Sequence, residues 1–267
     1  MKGISIMVNV FQKKVLILAV YAGEIMMKNG AEIYRVEDTI TRICKACHID
    51  HIEVFATPTG IFVSLDKGGA EDDPLTYIKR IKGTDTDLDK ISQINHFSRE
   101  FTTTDLSVEK GMERLKEIDR KKPYPYGVRL LGASLVSSFF CLIFGGTAID
   151  FLIAFIVGIL SYILSSFLKK YEINFFIRGF CCCLLASFLA LSMSAPIPSA
   201  SYEPIIIGSI MLFVPGVAIT NSIRDFLSGD MLSGIARMTE AVLTAVSLAA
   251  GAGVMLKLWG VIGGVIV

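Results

Sequence analysis

The residues of this chain that could bind a small charged molecule follow a break in an apolar segment. Residues 204–220 are apolar enough to enter a membrane, but Pro215 and Gly216 interrupt them near their end. Because Pro lacks a backbone N–H and clashes with the preceding helical turn, nearby carbonyls lose their usual partners. Irregular backbone at membrane depth is tolerated only where it lines a cavity or is buried in protein. The polar and charged residues of this region are Thr220, Asn221, Arg224, Asp225, Asp230, Arg237 and Glu240.

These residue types suit a substrate site built on a broken transmembrane helix. Thr220 and Asn221 could hydrogen-bond a polar substrate, and Arg224 or Arg237 could bind a carboxylate with two parallel N–H donors. Three carboxylates could bind an ammonium group or carry coupled protons: Asp225, Asp230 and Glu240. The predicted substrate-binding set is Pro215, Gly216, Thr220, Asn221, Arg224, Asp225, Asp230, Arg237 and Glu240.

Two other interpretations of the same region stay open at this point. The break could be an ordinary kink that leads into a solvated loop. Alternatively, the carboxylates could pair with Arg224 and Arg237 as structural ion pairs, since charged residues near membranes serve either purpose.

Four common motifs for nucleotide binding and hydrolysis are absent. The chain has no G-x-x-x-x-G-K-[ST], G-x-S-x-G, H-E-x-x-H or G-x-G-x-x-G pattern, so any active transport must draw on an ion gradient or another subunit. Cys44, Cys47 and His48 match the c-type haem attachment pattern, which we reject because this domain is predicted to be cytoplasmic. A zinc site from these residues and His51 is an open alternative. Our prediction is a protein without catalytic residues, cofactor or bound metal.

Composition divides the chain into a charged part and an apolar part. Hydrophobic residues make up 52% of the 267 residues, and the mean hydropathy is +0.58. Charged residues concentrate in residues 1–126 and are sparse from 130 onward. A net charge of +1 without a basic stripe does not favour nucleic acid as a partner. We therefore predict a soluble domain, residues 1–126, and a transmembrane domain, residues 127–267.

Hydrophobic periodicity predicts a small α+β fold for the first domain. Helices are expected at about 11–29, 32–47, 87–101 and 107–121. Strands are expected at 51–56, 61–65 and 76–81, and Ile61, Val63 and Leu65 alternate as on one buried face. The expected arrangement is a short antiparallel sheet with helices packed on one face.

Five apolar segments in the second domain are each near the ~20 residues that cross a bilayer: residues 128–144, 149–168, 175–193, 204–220 and 239–256. Lys and Arg occur in the second and fourth loops between them and not in the first and third. The positive-inside rule then places the N-terminal domain in the cytoplasm and the C-terminus outside. The fold class predicted is therefore an α-helical polytopic membrane protein with five transmembrane helices and a small N-terminal cytosolic α+β domain, located in the cell membrane.

Small residues recur every fourth position in the last apolar segment, at Ala241, Ala245, Ala249 and Gly253. Such a stripe lets helices approach closely. It could face another span of this chain or a separate subunit.

Two stretches resemble the threonine/serine exporter family. The first, from Ala22 to Ile49, is similar to that family's pattern at Gly30, Ala31, Arg35, Val36, Glu37 and Arg42. The second is similar to its pattern at Pro215, Gly216, Thr220, Arg224, Asp225, Gly229, Asp230, Gly234 and Arg237. With a soluble domain followed by five spans, the resemblance covers nearly the whole chain.

The resemblance implies a subunit of a secondary-active exporter of small polar metabolites, with threonine and serine as the expected substrates. It also implies the larger, YjjP-type subunit of a split exporter, with a second small membrane subunit similar to YjjB as partner. Split members are associated with dicarboxylate (succinate) export, which is the alternative substrate class. A homo-oligomer and proton coupling are further expectations.

Two rival hypotheses do not require a substrate site in this chain. A membrane-anchored hydrolase could draw on the polar residues His48, His51, Asp66, Glu71, Asp72 and Asp73, although a solvated acidic loop explains the carboxylates more simply. A regulatory subunit could instead gate a partner channel.

Overall fold

The computed structural model describes residues 2–49, 51–65 and 74–263, with side chains over 10–49, 51–65 and 74–262. The chain forms two compact units, one of residues 1–122 and 217–238, the other of residues 123–216 and 239–267. We predicted a single boundary after residue 126. The units divide four residues earlier, after residue 122, and no local sequence pattern indicates that residues 217–238 belong with the N-terminal unit. The physical reason is a set of contacts between distant parts of the chain, described below.

The first unit follows the predicted element order. Its helices are α1 (Lys2–Lys28), α2 (Ile33–Ala46), α3 (Leu88–Thr103) and α4 (Val108–Arg120), and its strands are β1 (Ile52–Thr57), β2 (Gly60–Leu65) and β3 (Leu75–Arg80). The strands form an antiparallel sheet in the order β1-β2-β3. The predicted alternation on β2 is confirmed, because Ile61, Val63 and Leu65 are all buried in the core.

Helix α1 is the centre of this unit. It contacts α2, α3, α4 and β2, and Val15, Leu16, Leu18, Val20 and Met27 are all buried. A helix that is apolar around most of its circumference is typical of a core position.

The second unit is a helical bundle. It contains α5 (Tyr126–Ile143), α6 (Ala148–Lys170), α7 (Phe175–Ser194) and α8 (Tyr202–Met211), and most of α10, whose full extent is Met231–Gly263. Helix α9 (Gly216–Leu227) lies between α8 and α10 in the chain. Within the described residues, four helices are long and apolar enough to cross a membrane, and a fifth span results if α8 and α9 count as one broken span.

Glycine positions allow the helices of this bundle to approach closely. A Cβ on Gly208 would lie 2.4 Å from the carbonyl oxygen of Ser137, and one on Gly251 would lie 2.3 Å from that of Phe180. Real Cβ atoms do not approach carbonyl oxygens so closely. The packing of α8 against α5 therefore depends on Gly208, and the packing of α10 against α7 depends on Gly251. Small residues at helix contacts are the usual packing mode of membrane helices.

The predicted stripe on α10 is not the face that packs inside this bundle. Ala241 is buried, but Ala245, Ala249 and Gly253 are exposed, and a Cβ on Gly253 would meet nothing within 4 Å. The buried face carries Ser247, Leu248, Gly251 and Ala252 instead. Of the two expectations for the stripe, contact with another span of this chain is therefore wrong for the described residues.

Candidate functional site

The predicted break in the fourth apolar segment is confirmed. Helix α8 ends at Met211 and α9 begins at Gly216, directly after Pro215. Pro is well suited to the position before a helix because its missing N–H costs nothing there. Helix α9 then carries Asn221, Arg224 and Asp225 into the first unit.

The loop between α1 and α2 meets these side chains, and its shape follows from Gly30. Helix α1 ends in a Schellman motif, in which the N–H of Ala31 donates to the carbonyl of Met26 at 3.0 Å and the N–H of Gly30 to that of Met27 at 3.3 Å. This motif requires a left-handed residue, and Gly30 has φ +87°. The backbone therefore turns sharply and presents residues 30–33 to α9.

Asp225 caps helix α2 from a distant part of the chain. The natural N-cap residue, Glu32, makes no side-chain cap. Instead Asp225 Oδ1 accepts the N–H of Ile33 at 3.2 Å across 192 positions of sequence. A carboxylate is favoured at a helix N-terminus, where backbone N–H groups lack partners and the dipole is positive.

Arg237 balances the charge of this buried carboxylate. Asp225 is 0% exposed, and Arg237 Nε lies 3.3 Å from its Oδ2. The geometry of that approach is not a hydrogen bond, so Oδ2 is a buried oxygen without one. A buried ion pair with an incompletely satisfied oxygen is held less firmly than its distance alone suggests.

Three further contacts tie residues 30–33 to α9 and α10. Asn221 Nδ2 donates to the carbonyl of Gly30 at 2.8 Å, and Arg237 Nη2 donates to the carbonyl of Ala31 at 2.7 Å. Arg224 forms an ion pair with the buried Glu32. We call residues 30–33 with Asn221, Arg224, Asp225 and Arg237 the interhelix junction. The two sequence motifs, about 190 residues apart, thus meet within one compact unit.

Two more carboxylates lie beside the junction. Glu37 Oε1 accepts the N–H of Ala56 at 2.7 Å and so covers the outer edge of strand β1. Burial raises the pKa of Glu37, the negative charges of Asp230 and Asp225 raise it further, and the Ala56 hydrogen bond opposes the shift. The pKa of Asp230 is also raised, by burial.

Other predicted residues lie apart from this cluster. Pro215, Gly216 and Glu240 belong to the second unit, and Glu240 is exposed. Thr220 is exposed on α9. Arg42 forms an ion pair with Asp38 on the surface of α2, away from the junction.

The junction also contains residues that the sequence did not single out. Glu32 is buried at 4% exposure and pairs with Arg224 and, at 3.5 Å, with Arg35. The main chain of Ala31 and Ile33 makes two of the contacts. No local pattern points to these groups, because their partners come from the other end of the chain.

A second missed residue is Asp150 at the start of α6. It is 0% exposed, and its Oδ2 accepts the N–H of Thr147 at 2.7 Å and the hydroxyl of Thr147 at 2.9 Å. Its Oδ1 accepts the N–H of Ser201 at 2.8 Å. Thr147 and Asp150 form a capping box, for which the T-x-x-D spacing was the available indication.

Among the described residues, no group of three or more His, Cys, Asp or Glu side chains could hold a metal ion. Cys44 is buried in the core of the first unit, and burial raises the pKa of its thiol to about 12. A neutral, inaccessible thiol is a poor zinc ligand. The acidic residues proposed for a hydrolase, Asp66, Glu71, Asp72 and Asp73, lie outside the described residues.

Comparison with known proteins decides the family. The model of the threonine/serine exporter family, ThrE, matches residues 17–259. The chain belongs to the threonine/serine exporter family. The expectation drawn from the two motifs is thus confirmed, and the family is one of transporters.

Two relatives named as threonine/serine exporters are about twice as long as this chain. The chain is 22% identical to the probable threonine/serine exporter of Mycobacterium tuberculosis over 93% of this chain but only 46% of that protein. It is 25% identical to the threonine/serine exporter of Corynebacterium glutamicum over 90% of this chain and 50% of that protein. It thus spans about half the length of these two relatives.

Another relative is close in length to this chain. The chain is 23% identical to the probable succinate transporter subunit YjjP of Klebsiella aerogenes, over 94% of this chain and 96% of that protein. No solved structure matches this member of the threonine/serine exporter family significantly. Its apolar helices and its family together establish a multi-pass membrane protein.

Proposed function

We propose that this chain is a subunit of a secondary-active exporter of small polar metabolites, with threonine and serine as its substrates. The observation that carries the proposal is the interhelix junction, where the family's two motifs meet around the buried Asp225. Two relatives are named threonine/serine exporters. A further relative is named a transporter subunit, and as partner we propose a second small membrane subunit similar to YjjB.

The chemistry of the junction matches the two charged ends of an amino acid. Asn221 and Arg237 donate to two consecutive backbone carbonyls, and Asp225 accepts a backbone N–H. The carboxylate of threonine offers two acceptor oxygens, and its ammonium group offers donors. The same side chains can therefore bind either the 30–33 loop or an amino-acid substrate.

It follows that the substrate and residues 30–33 compete for the same side chains, Asn221, Asp225 and Arg237. We infer that residues 30–33 leave α9 when substrate binds, and return when it departs. The missing hydrogen bond at Asp225 Oδ2 supports this exchange, because a substrate ammonium group could satisfy it. The break at Pro215 and Gly216, between α8 and α9, allows α9 to move.

A dicarboxylate is the second candidate substrate. Arg224 and Arg237 lie in the same cluster, and two carboxylates can pair with two guanidinium groups. The relative of matching length is named a probable succinate transporter subunit. Against this, a second carboxylate would meet the buried charge of Asp225, which costs energy.

Proton coupling is proposed for the carboxylates beside the junction. Glu37 and Asp230 have raised pKa values for the reasons given above, and a raised pKa is the direction that a carboxylate needs in order to carry a proton. Glu240, exposed on α10, is the third candidate. No other cofactor is proposed.

We propose that the N-terminal unit lies in the cytoplasm and the C-terminus outside the cell membrane. The support is the distribution of Lys and Arg: Lys169 and Lys170 end α6, whereas the loops 144–147 and 195–201 carry no cation. Cysteine-labelling from either side of the membrane, at introduced positions in those loops, would test this orientation.

The first experiment is an efflux assay in cells loaded with a threonine-containing dipeptide, and separately with succinate. The chain is expressed alone and with a candidate YjjB-type partner. Efflux of threonine that needs both proteins is the expected result. Efflux of succinate but not threonine would favour a dicarboxylate as the substrate. Efflux of neither would contradict both proposed substrate classes.

A matched pair of variants links this assay to the junction. Arg237→Ala removes the cation beside Asp225, whereas Arg42→Ala removes an arginine of the same family motifs that forms only a surface pair. We expect the first to stop efflux and the second to leave it unchanged, with equal amounts of protein in the membrane.

A further inference from the structure

The sheet of the first unit has an uncovered apolar row on its outer face. Phe55 on β1 lies opposite Phe62 on β2, and Phe62 lies opposite Ile78 on β3. Their exposed fractions are 53%, 41% and 64%, and the two phenyl rings are 6.1 Å apart. The helices pack on the other face, so these three side chains form a continuous apolar row across all three strands.

This row departs from the usual pattern of a small antiparallel sheet. Such a sheet has one face on the core and a polar face towards water. Here the residues on either side of the row are polar or small, with Glu53, Ser64 and Thr76 along one side and Thr57, Gly60 and Arg80 along the other. An exposed apolar patch with a polar rim is typical of a protein interaction site.

Charges at the rim indicate which partner fits. Glu53 lies at one corner of the face and Arg80 at the diagonally opposite corner. Both are exposed, and neither forms an ion pair with the part of the chain that the structure describes. Consider a second copy related by a two-fold axis that runs parallel to the sheet along the other diagonal, from Thr57 to Thr76. This rotation places Glu53 of each copy opposite Arg80 of the other. The face is therefore complementary to a second copy of itself.

We propose that this outer sheet face, centred on Phe55, Phe62 and Ile78, is the interface between two copies of this chain. In the dimer the apolar rows of the two sheets pack together, and Glu53 of each copy pairs with Arg80 of the other. Both ion pairs follow from one symmetry axis, as in any interface that uses the same patch on each subunit. A lipid surface is less suited, because membrane-binding faces carry an excess of Lys and Arg, whereas this rim is neutral.

The test measures the mass of the full chain in detergent by native mass spectrometry over a concentration series. Ile78→Asp places a charge in the apolar row. Leu88→Asp is the matched control, because Leu88 is 63% exposed and lies on α3 rather than on the sheet. We expect a dimer whose dissociation constant rises at least tenfold with Ile78→Asp and is unchanged with Leu88→Asp.

Charge reversal distinguishes the proposed ion pairs between copies from nonspecific association of apolar surfaces. Glu53→Arg or Arg80→Glu alone should each weaken the dimer, since like charges then meet at both corners. The double variant should restore it. A monomeric wild-type chain, a dimer insensitive to Ile78→Asp, or a double variant weaker than both single variants would each overturn the proposal. So would a dimer lost with Ala249→Phe and kept with Ile78→Asp, which would place the interface on α10.

Discussion

Each unit of this protein buries one aspartate at the N-terminus of a helix, and the two are held in different ways. Asp150 in the second unit caps its own helix, and all three of its donors are backbone N–H groups or a hydroxyl. Asp225 in the first unit caps a helix from the other end of the chain and has an arginine beside it. Both are 0% exposed.

The two aspartates differ in whether both carboxylate oxygens accept a hydrogen bond. Both oxygens of Asp150 accept hydrogen bonds, from Thr147 and Ser201. Asp225 has one oxygen without a hydrogen bond, and its contacts come from an α1–α2 loop that lacks a cap of its own. A fully satisfied polar group stabilises one structure, whereas a partly satisfied one is suited to a change of partners. We infer that Asp150 serves stability and Asp225 serves function.

The largest effect is expected from Asp225→Ala and Arg237→Ala. Removing one partner of a buried ion pair costs about 3–5 kcal/mol, because the other charge stays buried without compensation. We expect both variants to lose efflux while the protein remains in the membrane, as measured by transport and by immunoblot of the membrane fraction. Normal efflux from both would remove these residues from the substrate site.

A neutral pair separates folding from substrate binding in this experiment. Asp225→Asn combined with Arg237→Gln removes both charges together and keeps an acceptor for the N–H of Ile33. We expect it to recover the stability that the single variants lose, measured as the unfolding temperature in detergent, without recovering efflux. If efflux also recovers, the charges of Asp225 and Arg237 are needed for stability and not for transport.

Asp150→Ala is expected to reduce stability more than transport. It removes the capping box, which costs about 0.5–2 kcal/mol, and leaves the N–H of Ser201 without its acceptor. Thermal unfolding in detergent should therefore shift down by several degrees, with efflux per folded molecule unchanged. Asp150→Asn keeps one acceptor oxygen, so its shift should be smaller. A loss of efflux without a change in stability would reverse the roles assigned to the two aspartates.

The two aspartates also show which parts of the molecule a sequence can predict. Helices, strands and the break at Pro215 follow from local periodicity and from residues with fixed backbone preferences, and their order along the chain is confirmed. Two helices begin earlier than predicted, α1 at Lys2 instead of residue 11 and α10 at Met231 instead of residue 239. The cap by Asp150 could have been predicted from the sequence, because Thr147 and Asp150 have the spacing of a capping box. Contacts of this kind join residues that are neighbours in the chain.

The cap by Asp225 could not be predicted in the same way. Its partner lies 192 positions away, and the sequence contains no pattern that joins two distant segments. The resemblance named both segments but treated them as separate motifs. It also included Arg42, which lies apart from the junction, and omitted Glu32, which lies within it.

A smaller effect is expected from Glu32→Gln, and in the direction of tighter substrate binding. Glu32 holds the loop through Arg224 and Arg35, whose side chains are about half exposed, so each pair contributes about 0–1 kcal/mol. If loop and substrate compete for α9, a weaker loop contact should lower the half-saturating substrate concentration about two- to fivefold. Efflux from proteoliposomes at graded substrate concentrations measures this, and a higher half-saturating concentration would contradict competition.

The smallest effect is expected from Glu37→Gln and concerns pH. The pKa of Glu37 is raised above the ordinary value of 4.5, so the folded protein binds this proton more tightly than the unfolded chain does. Its contribution to stability is then greatest at low pH and falls as pH rises from about the ordinary value through the raised one. Gln cannot titrate, yet it keeps an oxygen for the N–H of Ala56.

The variant should therefore remove this part of the pH dependence and leave the fold intact. Unfolding temperatures in detergent between about pH 4.5 and 7.5 should fall less steeply for Glu37→Gln than for the wild type, with equal or higher stability at the upper end. The neighbouring carboxylates Asp225 and Asp230 are present in both proteins, so the difference between the two curves isolates Glu37. Identical curves would show that Glu37 titrates in the folded protein as it does in the unfolded chain, and would remove it from the proposed proton carriers.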